Sequence, residues 1–403
     1  MADKLNYKVG MIGALDMLRF KNMPKVREKA IQAASSAPLP KTLTTNEKAK
    51  QRHPEKQEVI VAEIRQNGAD AKTIVLKTED GSALAPFRAG QYISVCVPIG
   101  GTVTTRSYSL CSSPAWAKRG EYNITVKRDD AGFVSPYIQD HWVVGQHVTI
   151  SGPQGHLYYE RLRDAKKVVA LAGGSGITPF MGMAYAIRDG FEDFDLTILF
   201  GSRTEDGIVY KKELDEVCAA CDQVHVVHVL SDEEKPGFEH GFITAELIRK
   251  YAPEGEYSIF LCGPEAMYRF VMPEIEKLGL PRRLVRREML GVTKNVAAQP
   301  GYPADCAGKV FRGTVRQGAA EYAVDVRADE PILVALERAG IKAPSRCRSG
   351  ECGWCRSKLV SGEVYCPAEN EGRRHSDKVN GYIHPCSTFA LSDIVLEVPG
   401  EFY

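Results

Sequence analysis

Four cysteines near the end of the chain have the spacing of a metal-binding set. Cys347, Cys352 and Cys355 form C-x4-C-x2-C within RCRSGECGWCRSKL, and Cys386 follows after 30 residues in GYIHPCSTFA. Four thiolates so spaced can hold two irons as a plant-type [2Fe-2S] cluster. Ser349, Gly350 and Gly353 keep the intervening loop small enough for backbone N–H groups to point at the sulfides. Zinc is the alternative, although it usually draws on paired C-x2-C knuckles or histidines. Cys366 is expected outside the ligand set.

Two further constellations could handle phosphorylated cofactors. In TTRSYSLCSSP, Arg106, Tyr108 and Ser109 combine a cation, an aromatic face and a small hydroxyl. A flavin needs all three, for its phosphates, its ribityl chain and ring, and its N5. Further on, the apolar run from Val168 to Ala172 leads into Gly173-Gly174-Ser175-Gly176-Ile177-Thr178-Pro179. Glycines between a strand and a helix let a pyrophosphate approach backbone amides at the positive helix end. Other chemical-looking residues carry less. Cys218-x2-Cys221 is expected to end a helix as buried thiols. His225 and His228 have odd spacing on a strand and face opposite ways, and Trp116, Trp142 and Trp354 show no cage-like spacing.

The elements that must position these groups follow from composition and pattern. At roughly 150 residues per domain, 403 residues predict two to three cores. A net charge of +1, with 44% hydrophobic and 26% charged residues, excludes a disordered, collagenous or strongly nucleic-acid-binding chain. The 11 cysteines, odd in number and without a secretory signal, predict a reducing, cytoplasmic setting with ligands rather than disulfides. Val168 to Ile187 is uncharged and long enough to span a bilayer. Its Gly173, Gly174, Gly176, Pro179 and Gly182 instead divide it into a strand, a turn and a helix start, so no membrane span is expected.

Residues 1–56 read as an N-terminal extension, with a helix-like stretch from Met11 to Ala34 followed by SSAPLPKTLTTNEK. Its Arg19, Lys21, Lys25, Arg27 and Lys29 alternate with Met and Leu, which suits a helix packed on its own protein, an acidic partner or a membrane surface. Residues 57–160 contain short β-branched runs such as VIVAEI, KTIVLKT, YISVCV, YNITVKR and HVTIS, and predict an antiparallel β-barrel or sandwich. Residues 161–292 alternate strand and helix patterns and predict a parallel α/β sheet. A turn-rich linker over 293–307 precedes a final segment, 308–403.

Residues 309–396 resemble a plant-type ferredoxin throughout, from the hairpin VFRGTVRQGAAEYAVDV and helix PILVALERAGI to the closing GYIHPCSTFALSDIVLEV. The resemblance implies a β-grasp fold whose cluster passes one electron at a time. Ordinary ferredoxins have acidic surfaces, whereas Arg346, Arg348, Arg356, Arg373 and Arg374 flank this cluster, as solvated side chains or as a face for an acidic partner.

The R-x-Y-S pattern, with FRAGQYISV before it and ITVKRDDAGFVSPYI after it, resembles the ferredoxin reductase-like flavoprotein superfamily. That likeness implies that Arg106 binds flavin phosphate, Tyr108 lies along the flavin, and Ser109 hydrogen-bonds near N5. Val126 and Lys127 are then expected at the cofactor, and Gly132 and Ser135 at a turn-then-helix that receives a phosphate. VGQHVTISGPQGHLYY resembles the barrel end of FAD-binding members; the phthalate dioxygenase reductase branch uses FMN and lacks that ending, so FAD is expected. The superfamily's second nicotinamide motif is matched by Cys262-Gly263-Pro264-Glu265-Ala266-Met267 after YSIFL, which puts Thr178 and Cys262 near the nicotinamide as catalytic residues with Ser109. In GSRTEDGIVYKKEL, Arg203, Lys211, Lys212 and Ser202 could meet a 2′-phosphate, though an arginine there also suits NADH users. Glu288 stands where many relatives place a residue close to the flavin; on its own terms it reads as a surface carboxylate.

The order of flavin barrel, nucleotide domain and ferredoxin resembles the reductase components of multicomponent oxygenases over residues 57–398. It implies a hydride from NAD(P)H to FAD, single electrons to a [2Fe-2S] cluster near roughly −400 mV, and delivery to an external protein such as an oxygenase or another metalloenzyme. Two other readings stay open: a self-contained flavin reductase acting on a small molecule, and a module that senses NAD(P)H status.

Overall fold

The computed structural model describes residues 11–36, 42–291, 293 and 295–400. Residues 1–10 and 37–41 of the N-terminal extension, Val292 and Lys294 of the expected junction, and 401–403 lie outside the described residues. The chain divides into two compact units, Met1–Lys48 and Ala49–Tyr403.

In the first unit, helix α1 (Met11–Ala33) contains Pro24, and helix α2 (Thr44–Arg52), begun here, continues past the unit boundary. Leu15, Met17, Leu18, Phe20 and Met23 of α1 are more than half exposed. Among the described residues no helix is long and apolar enough to cross a membrane.

The second unit opens with strands β1 (Gln57–Gln66), β2 (Ala71–Lys77), β3 (Tyr92–Ile99), β4 (Thr102–Ser109), β5 (Glu121–Lys127) and β6 (His147–Ile150), with helix α3 (Ser135–His141) between the last two. They form one antiparallel sheet in the order β4-β3-β6-β1-β2-β5. A bridge from Leu110 to Ile124 joins its two outer strands and curls the sheet into a barrel. Inward-facing Val59, Val61, Ile74, Leu76, Ile93, Val95 and Ile124 fill the interior. Closure falls just beyond β4, so the Thr102–Ser107 stretch of that strand keeps a free edge.

The next part alternates β7 (Lys167–Gly173), α4 (Thr178–Arg188), β8 (Asp195–Ser202), α5 (Lys211–Ala220), β9 (Val224–Leu230), β10 (Glu239–His240), α6 (Ala245–Tyr251), β11 (Ser258–Cys262), α7 (Glu265–Glu276) and β12 (Val285–Arg287). All pairings are parallel, in the order β10-β9-β8-β7-β11-β12. Val168 to Leu171 and Ile259 to Leu261 are fully buried because helices cover both faces. The chain runs outward from β7 through β8, then returns to β7's other side as β11. Ligands of open α/β sheets bind at that reversal point, and the glycine turn stands there.

The last part contains β13 (Val310–Gln317), β14 (Ala320–Arg327), α8 (Ile332–Arg338), β15 (Ser357–Ser361), β16 (Val364–Tyr365), α9 (His375–Val379), β17 (Tyr382–Ile383), β18 (Phe389–Ala390) and β19 (Ile394–Glu397). Its main sheet, β14-β13-β19-β15-β17, pairs the first and last strands in parallel and packs α8 over Val315, Val326 and Leu396. The described residues of 293–307 form a packed strap. Val296, Tyr302 and Cys306 bury against Ala328 and Phe389, and Thr293 donates to Asn370 at 2.8 Å.

A buried ion pair holds the barrel end to the parallel sheet. Arg286 on β12 donates from Nε to Asp164 at 2.8 Å and from Nη1 to the carbonyls of His156 and Tyr158. The Asp164 side chain is wholly buried, so removing Arg286 leaves it only the longer, more exposed pairing with Arg163 at 3.6 Å. Arg286→Ala is expected to lower unfolding stability by about 3–5 kcal/mol, read as an earlier urea midpoint by circular dichroism; an unshifted midpoint would contradict the clamp.

Candidate functional site

The glycine turn and the Cys262 motif fit together because neither carries a Cβ where they touch. A Cβ on Gly176 would sit 2.1 Å from the Cys262 carbonyl oxygen, and one on Gly173 would sit 2.5 Å from Met267 Sδ. Gly263 is under the same constraint, 2.5 Å from that sulfur. Gly174 has φ +52, a left-handed turn that favours glycine. Thr178 opens α4 and donates to the Ser175 carbonyl at 2.9 Å, with Pro179 buried in the first helical turn. Cys262 ends β11 with 7% exposure, and burial pushes its thiol well above the ordinary range, reinforced by Glu288. Pro264 is exposed and caps α7, while Met267 is packed onto the glycines. Together these residues place backbone of two loops side by side at the reversal point.

The R-x-Y-S residues lie on β4. Ser109 is buried at its end, opposite Tyr92 on β3. Tyr108 is half-buried, with its hydroxyl held above the ordinary range by burial. Arg106 donates from Nη1 to Thr104 Oγ1 and the Thr105 carbonyl at 2.8 and 2.7 Å. Burial, then the charge of Arg348, pulls its guanidinium down to about 10. A cation so desolvated suits an anion such as a phosphate, which is the fit a flavin requires. From β5, Lys127 pairs with Asp70 at 3.3 Å and reaches to within 3.7 Å of where a Gly174 Cβ would stand, linking barrel to glycine turn.

Other expected residues are placed less favourably. The Val126 side chain lies in the barrel core, and its carbonyl already accepts from Gln139 at 2.7 Å. Gly132 and Ser135 do form a turn leading into α3, with Ser135 Oγ accepting from the Asp129 N–H at 3.1 Å. Arg203 follows β8 and is exposed, near the glycine turn because Gly201 pairs with Gly173. Lys211 pairs with Glu205 and Asp215, and Lys212 with Glu216. Cys218 lies on α5 with Cys221 just after it, and His228 sits between Phe200 and Phe238 while His225 is exposed.

Glu288 corrects the expectation of a surface carboxylate. It is 2% exposed, and its Oε2 has no hydrogen-bond partner. Its Oε1 lies 2.9 Å from where a Gly155 Cβ would stand, beside Tyr92. Burial raises the carboxyl well above its ordinary value, with further contributions from Glu351 and Cys347. The charges it senses come from the cluster loop, and it in turn acts on Cys262 and Tyr92, so it sits where the three parts of the second unit meet. The sequence signal was its place just after the last strand of the parallel sheet; its burial had none.

The cysteine loop supplies a thiol cage. Cys347, Cys355 and Cys386 are 1–3% exposed and Cys352 is exposed. Cys347 meets the sulfurs of Cys352 and Cys386, and Cys386 also meets Cys355. The thiols of Cys352 and Cys386 hold Cys347 well below the ordinary thiol range. Backbone N–H groups of Ser349 and Cys352 donate to Cys347 Sγ at 3.5 and 3.4 Å, and that of Trp354 to Cys352 Sγ at 3.5 Å. Gly350 is required at φ +85, since a Cβ there would stand 2.2 Å from the Asn370 carbonyl. Four converging sulfurs with amide donors fit a [2Fe-2S] cluster. Cys366 has its sulfur near the Asn370 carbonyl and Ser387, away from these contacts.

The flanking arginines differ from a solvated rim. Arg348 is 1% exposed, in the left-handed region at φ +57, and forms a bidentate pair with Glu337. Arg356 pairs with Asp377 and lies over Tyr382, Arg373 pairs with Glu371, and Arg346 lies 3.6 Å over Trp354. Arg374 is exposed.

Comparison with known proteins agrees with this arrangement part by part. Sequence models of three families match: an oxidoreductase FAD-binding domain over residues 58–159, an oxidoreductase NAD-binding domain over 170–272, and a 2Fe-2S iron-sulfur cluster binding domain over 314–391. The ferredoxin reductase component of 3-ketosteroid-9-alpha-monooxygenase from Mycobacterium tuberculosis is 30% identical over 352 residues, 84% of this chain and 94% of that protein. The glycine betaine monooxygenase reductase subunit of Pseudomonas aeruginosa is 28% identical over 329 residues, covering 77% of this chain and 87% of that one. Among solved structures, phthalate dioxygenase reductase, described as modular for electron transfer from pyridine nucleotides to [2Fe-2S], superposes with a TM-score of 0.62 at 29% identity, over 85% of this chain and 98% of that one. The barrel with its cationic edge strand, the glycine-turned sheet and the thiol cage thus occur in the order shared by these proteins, and the chain belongs to the NAD(P)H-dependent iron-sulfur flavoprotein reductases that join an FAD-binding, an NAD-binding and a C-terminal [2Fe-2S] domain.

Proposed function

We propose that this reductase serves an oxygenase or a comparable metalloenzyme in the cytoplasm, with Cys347, Cys352, Cys355 and Cys386 as cluster ligands. The observation that carries the reading is the meeting of all three parts within one compact unit: Gly176 packs on the Cys262 carbonyl, Lys127 of the barrel reaches the glycine turn, and Thr105 and Ser107 of β4 bond to Ser345 and Arg346 beside Cys347. When bound, the flavin exchanges a hydride from NAD(P)H for single electrons, and the cluster carries them onward one at a time.

The chain's own residues set the geometry for that exchange. Gly173, Gly174 and Gly176 offer backbone amides to the dinucleotide pyrophosphate, with Thr178 and Pro179 at the helix start. Cys262 and Thr178 border the nicotinamide, and the buried, uncharged Cys262 thiol supports a dry wall there. Arg106 would neutralise the flavin phosphate, Tyr108 would flank the ribityl chain and ring, and Ser109 would donate a hydrogen bond near N5. Lys127 closes the barrel side of the glycine turn. Arg203, exposed and beside the turn, meets the adenosine end of the nucleotide.

Three single substitutions test these roles. Cys352→Ser is expected to abolish the EPR signal of the reduced cluster while leaving NAD(P)H-driven ferricyanide reduction largely intact; loss of both together would contradict separate centres. Arg106→Ala should weaken flavin retention by about ten-fold or more through loss of a charge-assisted contact, and unchanged flavin content after gel filtration would remove Arg106 from the phosphate site. Gly176→Ala should lower kcat/KM for NAD(P)H by about a hundred-fold by displacing the Cys262 motif, with bound flavin retained; wild-type turnover would rule out the close packing of the two loops.

A further inference from the structure

The free edge of β4 is covered by the cluster-bearing part of the chain through a row of hydroxyl contacts. Thr102 Oγ1 donates to the Glu337 carbonyl at 2.8 Å, and Thr104 Oγ1 donates to the Glu337 carboxylate at 3.1 Å. Thr105 and Ser345 hydroxyls meet at 2.7 Å, and Ser107 Oγ donates to the Arg346 carbonyl at 2.7 Å. Glu337, near the end of α8, takes two of the four contacts. Its two carboxylate oxygens take both terminal nitrogens of Arg348, at 2.6 and 2.8 Å, and Arg348 immediately follows cluster ligand Cys347. The same carboxylate also acts on Arg106, whose Nη1 shares the Thr104 hydroxyl.

One carboxylate therefore stands between a buried guanidinium of the cluster loop and the arginine of the flavin strand. Two cations in so little water repel unless an anion lies between them. Moving α8 along β4 would break the Thr102 and Thr104 bonds together and leave Arg106 with less counter-charge. We propose that Glu337 is a positioning residue for internal electron transfer, holding the cluster loop against the R-x-Y-S strand at a set separation. The step it serves moves one electron from reduced flavin to one ferric iron of the cluster, which becomes ferrous, and the flavin's second electron follows once an external acceptor has reoxidised the cluster. The inference rests on the assignment of Arg106 to the flavin and of Cys347 to the cluster.

The test is stopped-flow reduction of the full-length, cluster-replete protein by NADH or NADPH, following flavin bleaching and then cluster reduction, with freeze-quench EPR. Glu337→Gln is expected to slow the flavin-to-cluster phase by about ten-fold or more. Flavin content, the flavin-bleaching phase, ferricyanide reduction, the cluster's EPR line shape and its midpoint potential should all stay as in the wild type. Glu337→Asp, which keeps the charge and shortens its reach, should fall between the two. An unchanged transfer rate in cluster-replete Glu337→Gln overturns the proposal. If that variant loses its cluster because Arg348 is stranded, the double variant Thr102→Val, Thr104→Val decides, since it removes both bonds from β4 to Glu337 and leaves the Arg348 pair whole: slowed transfer with full flavin and cluster content supports the proposal, and an unchanged rate overturns it. A wild-type protein that binds no flavin or assembles no cluster would instead defeat the functional reading beneath it.

Discussion

The organisation of this reductase depends on strand β4 having one edge with no strand beside it. An open edge exposes backbone donors and acceptors and must be covered or blunted. Here the barrel closes one step later, at the Leu110–Ile124 bridge, and the edge is covered by α8 and the start of the cluster loop. The strand that carries Arg106, Tyr108 and Ser109 is thus also the docking rail of the iron-sulfur part. Hydroxyl side chains suit this task, because each can donate to a carbonyl or carboxylate on the opposing surface without bringing another charge into it.

A second constraint is the close approach of loops at the reversal point of the parallel sheet. Gly176 against the Cys262 carbonyl, and Gly155 against Tyr92 and Glu288, bring backbone and side chains from distant parts of the chain into contact distances that any Cβ would prevent. The consequence is a close junction in which Glu288 is buried, and burial, with Glu351 and Cys347 nearby, raises its carboxyl well above its ordinary value. The hydroxyl of Tyr268 on α7 donates to the Glu288 carbonyl and fixes the backbone of that residue.

The connections between parts are ordered rather than slack. Arg286 ties the barrel end to the parallel sheet through Asp164 and two carbonyls, while Tyr210, at φ +64, donates its N–H to Asn67 and places its hydroxyl against Thr73 and Thr125 of the barrel. The strap after β12 has its own small core around Tyr302, whose hydroxyl donates to the Ala328 carbonyl at 3.0 Å. For a chain that must keep its redox centres within reach of one another, these contacts replace a flexible tether by fixed surfaces.

Much of this was legible in residue order, because the relevant physics is local. Runs of β-branched residues between turn residues identified the barrel strands, the glycines after Val168 to Ala172 marked a strand, turn and helix, and the C-x4-C-x2-C spacing identified three of the four thiols, each depending on neighbours within a few residues. The helix α2, which begins within the Ser/Pro/Thr-containing stretch after the first helix, escaped that logic because its polar sequence has no apolar face to signal it. Tertiary structure alone decided the charges: Arg348 is a buried partner of Glu337 rather than a surface cation, and Glu288 is interior rather than exposed. No local pattern could announce these, since Thr104 and Glu337 are 233 positions apart, and whether a charge is solvated or paired depends on which distant surface the fold brings against it.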